Sequence, residues 1–399
     1  MRHLQEFVSN EDLNVEMGDE NEVTEDTDGV IETTESPELD DIEVAQDDVV
    51  AETTETATAI DAIAQYTALL KKYEDTGIST ESAAFMEVGL SQFNHLFSEE
   101  SKAVPALEAF GGTSSRRFAT QASLEALGER AKELGTKLKE LFIKLFNLAK
   151  EYFNTLFNDV ERLKKRANAM KGQLAGLPKA PAKLTIEVSN PGALMVGNKF
   201  LADDVTPIAG VVKWASETYP NSMEQFLKKA AARAKGLSDV TEAVADLKQT
   251  ESPRSRFAAS IANMAGEGKL PGNTVIAFKG DDDTFSQVVT VEKAERQVET
   301  IGWGVQTPRE LATRLSQLIT VLDGLERARD YPQRMEQPLK QLTEALDSGA
   351  TTHPFFADLV RAGTTGLSDV LKYLYKTLGA YLAVLQQEIN AYGAGRQGS

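Results

Sequence analysis

Apolar side chains recur at alternating steps of three and four residues through the central part of the chain, and this spacing predicts a long amphipathic helix. The pattern extends from Leu124 to Tyr152, takes one additional step of four, and continues from Leu156 to Leu174. No proline interrupts residues 106–177. The pattern therefore predicts a helix of about fifty residues, with a bend expected at the phase change. A helix of this length needs an apolar partner along most of its surface.

Shorter patterns predict the remaining elements. Apolar and polar residues alternate over residues 184–188 and predict a strand, for which residues 193–200 are the expected returning partner. Residues 274–278 and 285–291 predict a hairpin. The last predicted helix has one broad apolar face, so we expect it to pack on part of the long helix. Helical spacing is found at residues 208–218, 223–235, 240–247, 254–264, 308–329, 332–346, 355–361 and 367–392.

The first hundred residues have a different character. Acidic residues alternate with small polar ones over residues 11–55, where no aromatic residue occurs, and this composition predicts disorder. Residues 57–98 then predict two amphipathic helices joined near Gly77. A break with Pro105, two glycines and small polar residues follows at residues 99–118 and is the best domain boundary in the sequence.

Together these patterns predict a mainly α fold. We expect a long helical hairpin or bundle with small β insertions, preceded by an acidic leader that is disordered and partly helical. The predicted units are the disordered leader (1–56), its helical remainder (57–108), the long basic amphipathic helix (109–182), a mixed α/β insertion (183–306) and a helical C-terminal region that packs on the long helix (307–399).

Charge changes sign at the same boundary. Residues 1–108 contain 4 basic and 28 acidic residues, a net charge of −24, whereas residues 109–399 contain 38 basic and 33 acidic ones, a net charge of +5. The sequence thus joins an acidic leader to a mildly basic body. The densest basic cluster of the body is Arg162, Lys164, Lys165 and Arg166. It is either a solvated helix face or a weak contact site for a polyanion.

Residue types limit the chemistry that is available. The chain has no Cys and three His residues far apart in sequence, which leaves little material for zinc sites or nucleophilic triads. Phosphate-binding and hydrolase motifs are absent, and the match to G-x-G-x-x-G at Gly393–Gly398 follows the last helix, where it predicts a frayed tail. Asp281, Asp282 and Asp283 fit a solvated hairpin tip better than a Mg²⁺ site. We expect no enzyme activity, metal or cofactor, and no membrane span.

One short motif at the boundary resembles a known family. Ala106-Leu107-Glu108 precedes Ala109, and together with the opening residues 1–8 this layout resembles the internal head proteins of phiKZ-like giant phages. The resemblance implies that a prohead protease cuts after Glu in small-x-Glu sequences. Ala106 would be the small residue, Glu108 the residue at the cut and Ala109 the new N-terminus. Other small-x-Glu sequences occur in the chain, and an extended, accessible segment is expected to select this one.

The resemblance also implies a place and partners. It implies a structural protein of the phage head interior, made in the host cytoplasm with a propeptide, whose partners are other head proteins and the prohead protease. DNA would be a neighbour in weak, nonspecific contact, and ejection into the host stays open. Two alternatives remain: an unprocessed assembly protein that uses its acidic tail to bind a protein partner, and an enzyme packaged in the virion with an unrecognised site.

Overall fold

The structure of the chain is a computed structural model, and it describes residues 37–97, 107–236, 269–279, 288–293, 299–347 and 354–393. The described residues form a mainly α fold with small strand pairs, as the sequence predicted. The helices are α1 (Pro37–Lys72), α2 (Thr80–Ser91), α3 (Thr113–Ala175), α4 (Thr206–Lys213), α5 (Tyr219–Gly236), α6 (Pro308–Glu326), α7 (Tyr331–Asp347), α8 (Pro354–Thr365) and α9 (Ser368–Asn390).

Helix α3 organises the molecule. It contains 63 residues, more than the sequence pattern predicted, and is therefore about 95 Å long. Gly112 precedes it, and the Gly112 N–H donates to the Ser115 hydroxyl oxygen at 3.0 Å, so a side chain satisfies one of the donors at the helix start. Helix α1 packs along its N-terminal part, and α6, α7, α8 and α9 pack along the rest.

The acidic leader is more ordered than its composition suggests. The expected disorder of residues 11–55 is wrong for residues 37–55, because α1 begins at Pro37, and the expected unit boundary after residue 56 lies inside this helix. The helix forms because its uncharged positions share one face, which packs against α3 while the carboxylates lie mostly outside it. The predicted joint near Gly77 is confirmed, since Gly77 has a φ of +72° and lies against the backbone of Arg116.

The body has its own aromatic core. The Phe153 ring of α3 stacks on the Tyr331 ring of α7 with centroids 5.6 Å apart, and Trp214 lies 5.1 Å from Tyr219. Tyr219 and Tyr331 both donate their hydroxyl hydrogen to the carbonyl oxygen of Ala362 in α8. The expected packing of the last helix on α3 is also observed. These contacts involve only residues that follow the boundary.

Short antiparallel strand pairs complete the described part of the fold. The predicted hairpin is present as β4 and β5, but the predicted partner of the first strand is wrong. Strand β1 pairs with β6, where Ile186 lies opposite Trp303. Asn190, with a left-handed φ of 54°, turns the chain away after β1, and residues 195–200 then pair with themselves around Gly197. The strands are β1 (Thr185–Ser189), β2 (Met195–Val196), β3 (Lys199–Phe200), β4 (Thr274–Lys279), β5 (Val288–Lys293) and β6 (Thr300–Gly304).

Several expectations fall outside the described residues. These are the expected disorder of residues 11–36, the helices at 240–247 and 254–264, the hairpin tip at 281–283 and most of the glycine-containing tail.

Candidate functional site

The candidate cleavage segment lies between α2 and α3. Glu108 and Ala109 belong to a single 3₁₀ turn, Leu107–Phe110, whereas Ala106 lies outside the described residues. The expectation of an extended segment is therefore wrong for the part of the site that the structure describes. The segment is not extended because its last residue, Phe110, has a fully buried side chain that holds the turn against the core.

Phe110 fastens this turn to both neighbouring helices. Its carbonyl oxygen accepts a hydrogen bond from Arg116 Nε of α3 at 2.7 Å and one from Thr80 Oγ1 of α2 at 3.3 Å. Its ring belongs to the hydrophobic core, and Ala109 beside it is half-buried. Because proteases bind extended substrate, cleavage between Glu108 and Ala109 requires this turn to open locally.

The leader and α3 run antiparallel to each other. Gln46 Nε2 donates to the Leu148 carbonyl oxygen at 3.1 Å, whereas Asp75 lies 3.5 Å from the Arg117 guanidinium, so residue numbers rise in the leader as they fall in α3. The backbone N–H of Ile78 also donates to the Thr120 hydroxyl oxygen at 3.1 Å. The leader therefore covers the N-terminal half of α3 before it reaches the candidate cleavage turn.

Ion pairs connect the acidic leader to basic residues of the body. Lys137 Nζ lies 2.8 Å from a Glu52 carboxylate oxygen, and Lys372 Nζ of α9 lies 2.7 Å from Glu43 and 3.0 Å from Asp40. Burial alone lowers the pKa of Lys372, but hydrogen bonds and attraction from these two carboxylates outweigh it and raise the pKa overall. The leader thus neutralises body cations by direct contact as well as by its net charge.

The sequence of α1 contains a spacing that indicates this contact, but apolar residues alone do not reveal it. Buried positions of α1 alternate steps of three and four residues, which is the spacing of a coiled-coil seam. Three of them are the polar residues Gln46, Thr53 and Thr56, so the spacing of apolar residues alone does not reveal the pattern. The other buried members of the seam are Leu39, Ile42, Val49, Ile60, Ile63 and Leu70.

Lys164, one of the four predicted polyanion contacts, has a structural role. Its Nζ lies 2.7 Å from a carboxylate oxygen of Asp323 and 2.7 Å from one of Glu326, both on α6. Hydrogen bonds to these two carboxylates raise the pKa of Lys164 well above its usual value. Lys164 therefore links α6 to α3. Because two carboxylates already compensate its positive charge, it attracts an external polyanion only weakly.

The other three members of the cluster are exposed. Arg162 donates to Asp159 at 2.9 Å, and Lys165 lies 3.5 Å from Glu161, one turn earlier on the same helix. Arg166 forms no ion pair with the described acidic residues. The four residues thus do not act as one cluster, and only Arg162, Lys165 and Arg166 face solvent where a polyanion can reach them.

Other candidate residues take structural places. Trp214 is a core residue, and Trp303 Nε1 donates to Glu388 at 2.9 Å, so both tryptophans contribute to packing. His353 and Asp281 to Asp283 lie outside the described residues. Across the described ranges, no group of three or more His, Cys, Asp or Glu residues is placed to hold a metal ion. No helix in the described part of the chain has the length and apolar character that crossing a membrane requires.

Comparison with known proteins identifies the family. The family model described as phiKZ-like phage internal head proteins matches residues 24–394, so the match extends across both sides of the candidate cleavage turn. No curated protein and no solved structure matches the chain. Since the family model covers nearly the whole sequence, the chain belongs to the phiKZ-like phage internal head proteins, a structural family of the phage head interior.

Proposed function

We propose that residues 1–108 are an acidic propeptide that the prohead protease removes by cutting after Glu108. The mature structural protein is then residues 109–399, packaged beside DNA in the phage head. The observation that carries this proposal is the coincidence of the charge step with the 3₁₀ turn Leu107–Phe110, just before α3. Cleavage at this turn changes the net charge from −19 to +5. A protein with a net charge of +5 tolerates a dense polyanion better than one with a net charge of −19.

The division of the core supports the proposal. The stacked pair Phe153 and Tyr331 and the buried ion pair Arg314 and Glu388 all lie after the cut. The leader packs α1 on α3 and α8, and α2 on α1 and on the turn Leu107–Phe110, and it contributes none of these groups. We therefore expect the body helices, and the part of α3 that they cover, to keep their fold when the leader is gone.

The proposed DNA contact is weak and independent of base sequence. Arg162, Lys165 and Arg166 are exposed on α3, but two of them have an acidic residue within one turn. A net charge of +5 over this length supplies only a few phosphate contacts. DNA is thus a neighbour of the mature protein, and other head proteins are its partners.

The test is the N-terminus of the protein in mature particles. We expect peptide mapping to recover residues 109–399 and a semi-specific peptide that starts at Ala109. Glu108→Gln should block this cut, whereas Glu125→Gln should not, because Ser123-Leu124-Glu125 has the same small-x-Glu pattern inside α3. Abundant peptides from residues 37–97 in purified mature particles would show that the leader is retained and would refute processing.

The alternative is an assembly protein that keeps its leader and binds a protein partner through it. The observation that favours it is the direct packing of α1 on α3, which gives the leader a folded place in the uncut chain. The same peptide map separates the two functions, since the alternative requires intact chains in mature particles.

A further inference from the structure

The N-terminal third of α3 is packed mainly by the leader. Beyond the contacts already described, the Arg130 guanidinium lies 4.1 Å from the centroid of the Phe97 ring near the end of the leader. The body helices reach α3 further along the chain, where Lys150 pairs with Glu336 of α7 and the Tyr152 hydroxyl donates to the Ser368 carbonyl. If cleavage is followed by loss of the leader, residues 113–138 lose their main cover.

The uncovered surface is a mainly apolar stripe with a basic edge, and it also contains the buried polar residues Thr120 and Ser123. We call it the α3 groove and define it by Ala119, Leu127, Leu134 and Leu138, all at most 2% exposed, together with Arg130 and Lys137 beside them. The stretch is about 39 Å long, and a helix of that length with one bare apolar face needs a partner. An isolated helix gains too little from its own hydrogen bonds to stay folded in water.

Charge decides which partner fits the α3 groove. Arg130, Lys137 and Lys144 follow one another at intervals of seven residues, so they form a basic row along one edge of the stripe. The corresponding positions on the other edge are Gly128 and Gly135, which carry no charge. A second copy of α3 therefore presents either like charges or glycine to the basic row. DNA neutralises the row but cannot cover the leucines.

We propose that the α3 groove is a docking site for an acidic amphipathic helix of another head protein, and that α1 occupies the groove until the leader is removed. This inference rests on the proposed processing. The chemistry of the partner is taken from α1 itself, which places the Glu52 carboxylate against Lys137 of the basic edge and 3–4 spaced uncharged residues on the stripe.

The interface between α1 and the α3 groove is imperfect, so another helix could bind the groove more tightly. Thr56 is fully buried, and its hydroxyl has no hydrogen-bond partner among the described residues, which is a cost in a packed interface. Thr53 avoids that cost by donating to the Val49 carbonyl of its own helix. A partner helix with an aliphatic residue at the position of Thr56 is expected to bind the groove more tightly than α1.

The experiment uses the full chain with a site-specific protease sequence in place of residues 99–105, cut in solution. The probe is a fluorescent peptide of residues 37–72, and its binding is followed by anisotropy. The cut chain should take up the probe as its own leader exchanges. The uncut chain should not, because a tethered α1 competes at an effective concentration near millimolar.

A charge exchange tests the geometry. Lys137→Glu in the cut chain should weaken probe binding by about fivefold or more, and a probe with Glu52→Lys should restore it. Lys171→Glu is the matched control, since Lys171 is an exposed residue of α3 outside the groove, and it should leave binding unchanged.

Three results would overturn the proposal: no exchange of the probe, a cut chain that doubles its mass by pairing with a second copy, or displacement of the probe by duplex DNA at physiological salt. Processing is tested separately. If mature particles contain the intact chain, the proposed function fails even when the cut protein binds the probe in solution.

Discussion

The Arg314 guanidinium lies 2.7 Å from a carboxylate oxygen of Glu388, and both side chains are withdrawn from solvent. Glu388 also accepts hydrogen bonds from Trp303 Nε1 at 2.9 Å and from the Gln306 N–H at 3.3 Å. Arg314 donates in addition to the Ala202 carbonyl at 3.1 Å. This network joins α6, α9, β6 and the segment after β3, so it stabilises the part of the chain that follows residue 108.

Removing one member of this pair should be strongly destabilising. Arg314→Met leaves the Glu388 carboxylate buried without its cation, and we expect the free energy of unfolding to fall by about 3–5 kcal/mol. Urea denaturation followed by circular dichroism measures it. The control is Arg327→Met, which breaks an ion pair to Glu217 in which both side chains are largely exposed and should cost about 1 kcal/mol or less. Equal losses in the two variants would contradict a structural role for the buried network.

Phe110 should control access to the candidate cleavage site. Phe110→Ala removes the buried ring that holds the 3₁₀ turn, so the turn opens more often and cleavage after Glu108 should be faster by about tenfold or more. The measurement is the rate at which the fragment of residues 109–399 appears during digestion with the prohead protease. Phe118→Ala is the matched control, because Phe118 is near the same boundary but 75% exposed. An unchanged rate for Phe110→Ala would show that the turn does not limit cleavage.

The exposed cations of α3 should carry the DNA contact. In a salt titration against two unrelated duplexes, the uncut chain should bind undetectably, whereas the cut chain, separated from its leader as residues 109–399, should bind weakly at low salt because the leader no longer masks the body. Changing Arg162, Lys165 and Arg166 together to Gln should remove most of that binding. Lys164→Gln should instead lower the free energy of unfolding by up to about 1 kcal/mol, since it loses Asp323 and Glu326.

Equal binding by the cut and uncut chains would contradict masking. The acidity of the leader would then reflect a protein partner instead.

The seam of α3 should not accept a charge. Leu145 is fully buried, and Leu145→Asp places an unpaired carboxylate among apolar groups, so we expect a loss of about 4 kcal/mol or more. Leu141→Asp should act in the same direction. Lys171→Asp is the control for a charge change at an exposed position of the same helix. Native-like urea curves for both leucine variants would rule out the packing described for α3.

Alkaline pH should unfold the protein through its buried tyrosines. Burial raises the pKa of Tyr219, Tyr331 and Tyr381 above the usual value, so these side chains stay neutral in the folded state where they would ionise in the unfolded chain. Their contribution is complete below the unfolded pKa of about 10 and is lost as pH rises towards the folded pKa.

The measurement combines urea stability, from about two pH units below that value to about one unit above it, with tyrosinate absorbance. Buried tyrosines should titrate together with unfolding. Gradual titration at constant stability would contradict their burial.

Periodicity alone determined where most of α3 and the helices after Pro308 lie. The apolar positions from Leu124 to Leu174 predicted most of α3, and Pro308 marked the start of α6, because helix formation depends on residues three and four apart. The mainly α class and the step in charge at residue 108 also follow from the sequence. A short motif at Glu108 then led to the family.

Tertiary structure decided which elements meet. The apolar residues alone do not show that α1 begins at Pro37 and covers α3, since the seam of α1 also contains the polar residues Gln46, Thr53 and Thr56. Partner choice for β1 likewise depended on a strand more than a hundred residues away.

The turn at the candidate cleavage site and the pairing of Lys164 both result from packing between distant segments. Burial of Phe110 and the approach of α6 convert an apparent flexible linker and an apparent basic patch into packed structure. Spacing along the chain reports which face of a helix is apolar, but the free energy of packing between distant segments selects the partner of that face.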